Sequence, residues 1–376
     1  MWQELTTSLQ TKAGVIVSPE NALNVASVYA CIRVLSETVA SLPLKLYKET
    51  PDGSVIATKH PLYSILHDSP NDFQTAYEFR ETMIAHLNMR GNFYALKEFN
   101  RAGQLAGLVP LNPSKMEVKA ANNALAYEYT QEGGAKIVYD AAQIWHVKAL
   151  STDGIVGLSP ITVAREAIGL AKATEAHGAR MFKNDARPGG VLTTPGQLTE
   201  QAIKRLKESW QAAQTGDNAW KVAVLENGMG WTSIGFNNDD AQFLETRNFQ
   251  VEDIARIFRV PAVLIGHPDK TMTYASAEQF FLSFAMHTVR PWAVRIEQSI
   301  NRHLLSENDR KTYFAEFTLD SLLRADTSSR YEAYASAIQN RWMSPNEVRE
   351  KENLNKIKGG DVFENPNISI KKETKE

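Results

Sequence analysis

Cysteine is nearly missing from this chain: Cys31 is the only one among 376 residues. That excludes an internal disulfide and any zinc or iron–sulfur site built from several thiolates, and it fits a reducing compartment. Long apolar runs are missing too. A membrane helix requires roughly 20 uninterrupted apolar residues, and the best stretch, Ala22 to Pro43, is broken by Asn24, Arg33 and Glu37. The opening residues, MWQELTTSLQTK, lack the basic-then-apolar layout of a secretory signal. A soluble protein of intracellular origin with no membrane partner is the expectation. Nor is there an excess of charge of one sign: 41 Lys and Arg stand against 43 Asp and Glu, a net charge of −2. A general nucleic-acid clamp would show a basic excess. With 43% hydrophobic and 22% charged residues the chain is ordinary globular protein, which rules out wholesale disorder.

The signatures of catalysis are also lacking. There is no Gly-x-x-x-x-Gly-Lys-Ser/Thr phosphate loop, no His-Glu-x-x-His and no Gly-x-Ser-x-Gly. Gly228-Met229-Gly230 has no third glycine and sits in a hairpin pattern, not before a helix. The eight histidines are scattered, with no pair at metal-ligand spacing on one helix. Two acidic spots remain, Asn237-Asn238-Asp239-Asp240 and Glu252-Asp253. Carboxylates there could hold Mg²⁺ for a nuclease. The plainer reading is a helix cap at Asp239 and a solvated surface beyond it. Cys31 lies in an apolar helical stretch and reads as a buried structural thiol, not a nucleophile. Trp210, Trp220 and Trp231 could stack on bases or simply form the core of a small module. No catalytic residue, metal ligand or cofactor is expected.

What is present is regional organisation. Ser18-Pro19-Glu20 starts a helix through a serine cap and a proline at its first position, and Pro43 ends it. Leu42, Leu44 and Leu46 then alternate as in a strand. A short helix, Pro61 to Leu66, and an amphipathic one, Ala76 to Arg90, follow, the latter stopped by Gly91-Asn92. From Phe93 to Val147, turn signals at Asn100–Gly103, Asn112-Pro113, Asn122-Asn123 and Gly133-Gly134 divide five or six antiparallel strands. A second Ser-Pro start opens a helix from Ser159 to about Asn184, rich in alanine and carrying Gly169 and Gly178. Two readings of its small residues stay open. It is a buried core helix, or it packs against copies of itself through Ala167, Ala171 and Ala179.

Arg187-Pro188-Gly189-Gly190 breaks that helix and opens a compact module: strand Val191–Thr194, helix Thr199–Ala213, strand Val222–Glu226, strand Trp231–Ile234. Its helix carries Lys204, Arg205, Lys207 and Glu208 on a charged face. A helix from Asp240 to Phe258 follows, closed by Pro261. The connection from Gly266 to Ser276 is long for a compact region, which marks it as functional or disordered. It leads to a long helix, Ala277 to Leu305, which Pro291 should kink about one turn earlier. Shorter helices from Ser328 and Ser344 precede a polar tail, Gly359 to Glu376, expected to be disordered.

The stretches VYACIRVLSETVASLPLKLYKE (28–49), HPLYSILHDSPNDFQTAYEFRETMIAHLNMRGNFYALKEFN (60–100), GIVGLSPITVAREAIGLAKATEAHGARMFKNDARPGGVL (154–192) and FLETRNFQVEDIARIFRVPAVLIG (243–266) resemble the phage portal family. These proteins are the head-to-tail connectors of tailed double-stranded-DNA phages, and the likeness is to the long non-contractile-tail type. The resemblance implies an elongated α+β subunit that assembles into a ring, typically a dodecamer, without catalytic activity. It sits at a capsid vertex of the virion, beside the major capsid protein, after assembly in the host cytoplasm. Double-stranded DNA passes through the ring into the capsid and out of it, read for no sequence. The terminase large subunit docks during packaging and an adaptor protein afterwards.

On that resemblance the regions become a wing (1–158), a first stem helix (159–188), a clip (189–236) and a second stem helix (237–260). A tunnel-loop region (261–276), a long kinked helix and strand (277–325), a short crown (326–358) and the tail (359–376) complete the chain. The resemblance places Lys270, Thr271, Thr273 and Tyr274 toward the DNA, and Lys204, Arg205, Lys207 and Glu208 at the docking face. The helix residues Ala167, Ala171 and Ala179 go to subunit packing. The short crown departs from larger members. A Mg²⁺-dependent nuclease at Asp239 and Asp240 and a monomeric binding module are the competing readings.

Overall fold

A computed structural model describes residues 10–51, 53–121, 124–183, 190–214, 228–233, 239–267, 274–319, 327–352 and 354–363. The Ser18 hydroxyl accepts from the Asn21 N–H while the Asn21 side chain accepts from the Ser18 N–H, so the first cap forms as its sequence predicts. The helix it starts, α1 (Pro19–Ala22), lasts one turn. Tight bonds from Asn24 to Asn21 and from Val25 to Ala22 end it, and α2 (Ala26–Ser41) restarts from an extended Val25. Val28, Cys31, Ile32, Leu35 and Val39 form the buried face of α2. Leu42 before Pro43 is extended, as the proline ring demands.

Strand β1 (Leu44–Thr50) turns back into β2 (Gly53–Ile56), and α3 (Pro61–His67) and α4 (Ala76–Arg90) follow. Thr75 and Glu78 form a capping box on α4, and Gly91 closes it at φ +74°. Phe79, Met83, Ile84 and Leu87 of α4 join the α2 face in one core. Arg80 is largely buried, yet its guanidinium donates to the last carbonyls of two helices, Ala40 and Leu66. Orphan carbonyls and a buried cation satisfy each other there.

Six strands follow: β3 (Asn92–Phe99), β4 (Leu105–Leu111), β5 (Met116–Ala121), β6 (Ala124–Thr130), β7 (Lys136–Asp140) and β8 (Ile144–Lys148). They form not one sheet but two, both antiparallel, in the orders β4-β3-β8 and β5-β6-β7. The first sheet packs on α4 through Phe79, Phe93 and Trp145, with ring centroids 5.4–6.2 Å apart. A second, small core joins the two sheets, with Tyr94, Leu111 and Ile144 of the first packed with Tyr127 of the second.

Beyond the sheets come α5 (Pro160–Val163) and α6 (Arg165–Lys183), separated at Ala164, where ψ opens to 5°. The single helix expected from Ser159 is thus two, and the Ser159 hydroxyl both caps the first and donates to the Met89 carbonyl. Strand β9 (Gly190–Thr193), helix α7 (Glu200–Gln214) and strand β10 (Gly230–Ser233) make up the described part of the small module. Strands β9 and β10 are antiparallel partners. The expected strand at Val222–Glu226 lies outside the described residues.

Helix α8 (Asp239–Phe258) returns along α6, where the buried Gln250 amide donates to the Thr174 hydroxyl at 3.0 Å. Helices α9 (Tyr274–Phe284) and α10 (Arg290–His303) are joined by a π-helical turn, Ala285–Val289. Pro291 cannot donate to the His287 carbonyl one turn back. The freed oxygen accepts instead from the Arg259 guanidinium at the end of α8. The kink expected one turn before Pro291 is therefore a wide turn, tied to another helix. Strand β11 (Tyr313–Phe317) pairs with β1 on the edge opposite β2, giving the order β11-β1-β2. Helices α11 (Thr327–Gln339) and α12 (Pro345–Lys351) end the described fold. Residues Gly359 to Phe363, expected within a disordered tail, make a turn fastened to Asn346. No helix among the described residues is long and apolar enough to cross a membrane.

Candidate functional site

Two stretches of backbone come very close at the joint where the β4-β3-β8 sheet meets the chain leading into α5. The Ala149 N–H donates to the Gly91 carbonyl at 2.8 Å. A Cβ on Gly157 would fall inside that same carbonyl oxygen, and one on Gly91 inside the Leu158 carbonyl. Two backbones therefore touch where no side chain fits. Gly91 also holds a left-handed φ that favours glycine.

Asn92 closes the joint with all of its amide capacity. Its oxygen accepts from the Gly157 N–H (2.8 Å) and the His146 Nε2–H (3.0 Å), and its nitrogen donates to the carbonyls of Gly157 (2.9 Å) and Arg90 (3.1 Å). The Nδ1 of His146 faces the Tyr127 hydroxyl on the second sheet at 3.3 Å. Burial holds the His146 imidazole down to about 3, so it stays neutral with Nε2 as donor. One chain of side chains links both sheets to the segment entering α5. From its neighbours alone Asn92 reads only as a helix stop; its pairing with Gly157, 65 positions away, has no local signal.

Small residues in α6 serve mainly the protomer itself. Ala164, Ile168 and Ala171 belong to the main core. A Cβ on Gly169 would come within 2.5 Å of Thr11, which packs there from the N-terminal turn. Of the three residues assigned to subunit packing, Ala171 is 4% exposed inside this chain, Ala167 is half-buried and Ala179 is exposed. Ala179 alone of the three is free to meet a neighbour, while Val163 and Leu170 on the same pair of helices stand in solvent.

On α7, Lys204, Arg205 and Glu208 are exposed on one helix, as the charged-face reading expects. The side chain of Lys207 lies outside the described residues, as do those of Trp210, Trp220 and Trp231. Lys270, Thr271 and Thr273 also lie outside them. Tyr274 is the first residue of α9, not part of a connection, so the helix begins three residues before the expected Ala277. Asp239 is the first residue of α8 itself, one place past the cap position expected of it, and its side chain lies outside the described residues. Glu252 faces His267 at 3.5 Å and Asp253 pairs with Arg256 at 2.7 Å. These two carboxylates each have a partner, and among the described residues no three acidic, histidine or cysteine side chains gather as metal ligands. Cys31 is fully buried, and burial pushes its thiol up to about 12, far from a nucleophilic thiolate.

Comparison with known proteins bears on the whole chain. The family model described as "Phage portal protein" matches residues 26–353. The portal protein of Enterobacteria phage HK97 is 33% identical over 350 residues, covering 92% of this chain and 82% of that protein. A probable portal protein of Streptomyces phage phiC31 is 34% identical, covering 93% and 78%. Among solved structures, a chain in the neck of an empty gene transfer agent particle, computed with C6 symmetry, superposes with a TM-score of 0.64. It is 26% identical, covering 88% of this chain and 90% of that one.

Proposed function

The chain belongs to the phage portal protein family, and on that premise we propose how its regions divide the work. The protein is a portal vertex subunit of the virion. It forms a homo-oligomeric ring associated with the capsid, and its family is structural rather than enzymatic. The nuclease and the monomeric binding module are not favoured.

In our reading the ring is a dodecamer, assembled in the host cytoplasm beside the major capsid protein. Double-stranded DNA passes through its tunnel during packaging and ejection. One observation supports the regional assignment. The chain runs out along α6, makes the β9–α7–β10 module, and returns along α8, to which α6 is bonded through Thr174 and Gln250. An out-and-back helix pair fits the stem (159–188 and 237–260), and the module at its far end fits the clip (189–236). The sheets fit the wing (1–158), α9 to β11 the kinked helix and strand (277–325), and α11 and α12 the short crown (326–358).

The exposed charges of α7 then form the face that meets the terminase large subunit first and an adaptor later, through Lys204, Arg205, Lys207 and Glu208. The segment 261–276 borders the tunnel. Lys270 contributes one positive charge per copy, and Thr271, Thr273 and Tyr274 offer hydrogen bonds that read no sequence. A near-neutral chain suits a conduit, since a basic lining would retain DNA. Native mass spectrometry tests the ring: a species of twelve copies is expected, and a lone monomer at all concentrations would overturn it. In a packaging assay, reversing Lys204 and Lys207 to Glu should leave rings intact and impair motor binding. Lys270→Ala should leave rings intact and alter DNA packaging or retention; unchanged packaging in either variant removes that surface from the assignment.

A further inference from the structure

Two helices in this chain end in the same unusual way. Helix α8 is closed by Arg259 at φ 58° and α11 by Arg341 at φ 64°. The Arg259 N–H donates to the Arg256 carbonyl (3.1 Å), and the next N–H, Val260, to Ala255 (2.9 Å). Arg341 bonds to Ile338 (3.1 Å) and Trp342 to Ala337 (3.2 Å) in the same pattern. This closure puts its central residue in the left-handed region, where glycine is the ordinary choice, and it usually tucks the following residue against the helix. At α8 the reason for the arginine is visible. Val260 is 3% exposed, and Arg259 reaches the carbonyl that Pro291 leaves free. At α11 the same strained turn aims Trp342 into water, at 68% exposed.

Trp342 has company. Leu354, Ile357, Val362 and Phe363 are each about half exposed on the strap that follows α12. The strap is tied to the start of α12. Buried Asn346 donates to the Ile357 carbonyl (3.0 Å) and the Asp361 carboxylate (2.9 Å), and accepts from the Ile357 N–H (2.8 Å). A Cβ on Gly360 would lie 2.5 Å from the Asn346 oxygen, so the strap closes directly on that side chain. An apolar surface fixed in place is a binding surface, and tryptophan is among the commonest anchors of such contacts. The charge of this unit narrows the occupant. Residues 327–363 carry six Lys and Arg against five Asp and Glu, too balanced for a nucleic acid or an anionic surface and no barrier to a second copy.

We propose that Trp342 of one subunit seats in the Leu354–Ile357–Val362–Phe363 strap of the next copy around the ring. The inference rests on the ring reading above. A closed ring joins two different patches of the same subunit, and this unit carries both, a projecting side chain and a preorganised apolar strap.

The experiment uses the full chain carrying a photo-crosslinking phenylalanine analogue at position 342, with hydroxyl-radical footprinting of the unmodified protein. The expected result is a crosslink from position 342 to a peptide spanning 354–363 of another copy. Trp342 oxidation should fall at least tenfold on assembly. Trp342→Ala should need at least tenfold more protein to assemble, at unchanged monomer melting temperature, with Trp342→Phe restoring most of the loss. If Trp342→Ala fails to fold, the crosslink and the footprint of the parent decide. Rings that leave Trp342 as reactive as in the monomer, or a crosslink elsewhere, overturn the proposal while the ring reading stands. Protection seen only in complete particles assigns the surface to another virion protein and overturns it too. A parent that never assembles overturns the ring reading and this inference with it.

Discussion

Two sets of large apolar side chains, one in the core beneath the sheets and one on the helices that follow it, are treated in opposite ways. Phe79, Met83, Phe93 and Trp145 are at most 4% exposed, locked by ring contacts and by the bond from the Trp145 indole N–H to Ser299. Phe249, Phe280, Phe281 and Trp342, all in the helical remainder, stand 42–68% exposed. A lone chain loses stabilisation of about 25 cal/mol for every Å² left in water. The first set is satisfied within the protomer. The second is surface left over on helices that also bury Phe258, Phe284, Ile296 and Ile300, and it is available to a neighbour in an assembled state. Substitutions in the first should therefore report on folding, and substitutions in the second on assembly.

The sharpest test of that division is Gly157→Ala. The new methyl meets backbone, which cannot swing aside, so a loss of about 3 kcal/mol or more is expected in denaturant unfolding. A variant as stable as the parent would mean that the joint is soft. Next comes Ala171→Trp. The site is buried within the protomer, so overpacking should cost about 1–3 kcal/mol of monomer stability. Equal melting temperatures would return Ala171 to the interface between copies.

Acid should also unfold the sheet region first. The folded pKa of His146 lies near 3, below its ordinary 6.5, so the unfolded chain binds a proton that the native joint refuses. Stability is then complete above about pH 6.5 and declines as pH falls toward 3, by about 1.4 kcal/mol per unit for this one group. His146→Gln should flatten that decline in a pH series of unfolding curves; an unchanged slope would place the acid sensitivity elsewhere, with His86 and His303 the next candidates, both held down to about 4 by burial. The smallest effect is expected from Ala179→Trp. On an exposed helix face it should move monomer stability by no more than about 0.5 kcal/mol, while light scattering shows weakened ring formation. Intact rings would remove Ala179 from the contact.

Local chemistry was the legible part of this fold. The Ser18 and Ser344 caps, the Gly91 stop, and turns at Gly103 and Gly134 with positive φ were each written in a few neighbouring residues. The six strands between Phe93 and Val147 were readable because turn residues separate them. Their division into two sheets was not, since partner choice depends on contacts such as Tyr94 against Tyr127. Small residues in α6 could not be assigned to core or interface by type alone, because a small side chain reads the same whether it packs inside the protomer, as Gly169 does against Thr11, or against a neighbour. The π turn was half legible: Pro291 announced a kink, but the Arg259 donor that fills the empty carbonyl comes from another helix. Trp342 carried no warning, because its exposure follows from the backbone angle of the arginine before it.

Strand β1 has a consequence for how each copy is made. One of its edges pairs with β2, three residues away, but the other pairs with β11, so that Leu44 lies opposite Phe317. Between Thr50 and Tyr313 the ribosome must add 262 residues. At 5–20 residues per second that is roughly 13–50 s during which Leu46 and its neighbours lack their final partner strand. The sheet thus acts as a clasp fastened late in translation, and a copy interrupted before β11 emerges cannot complete it.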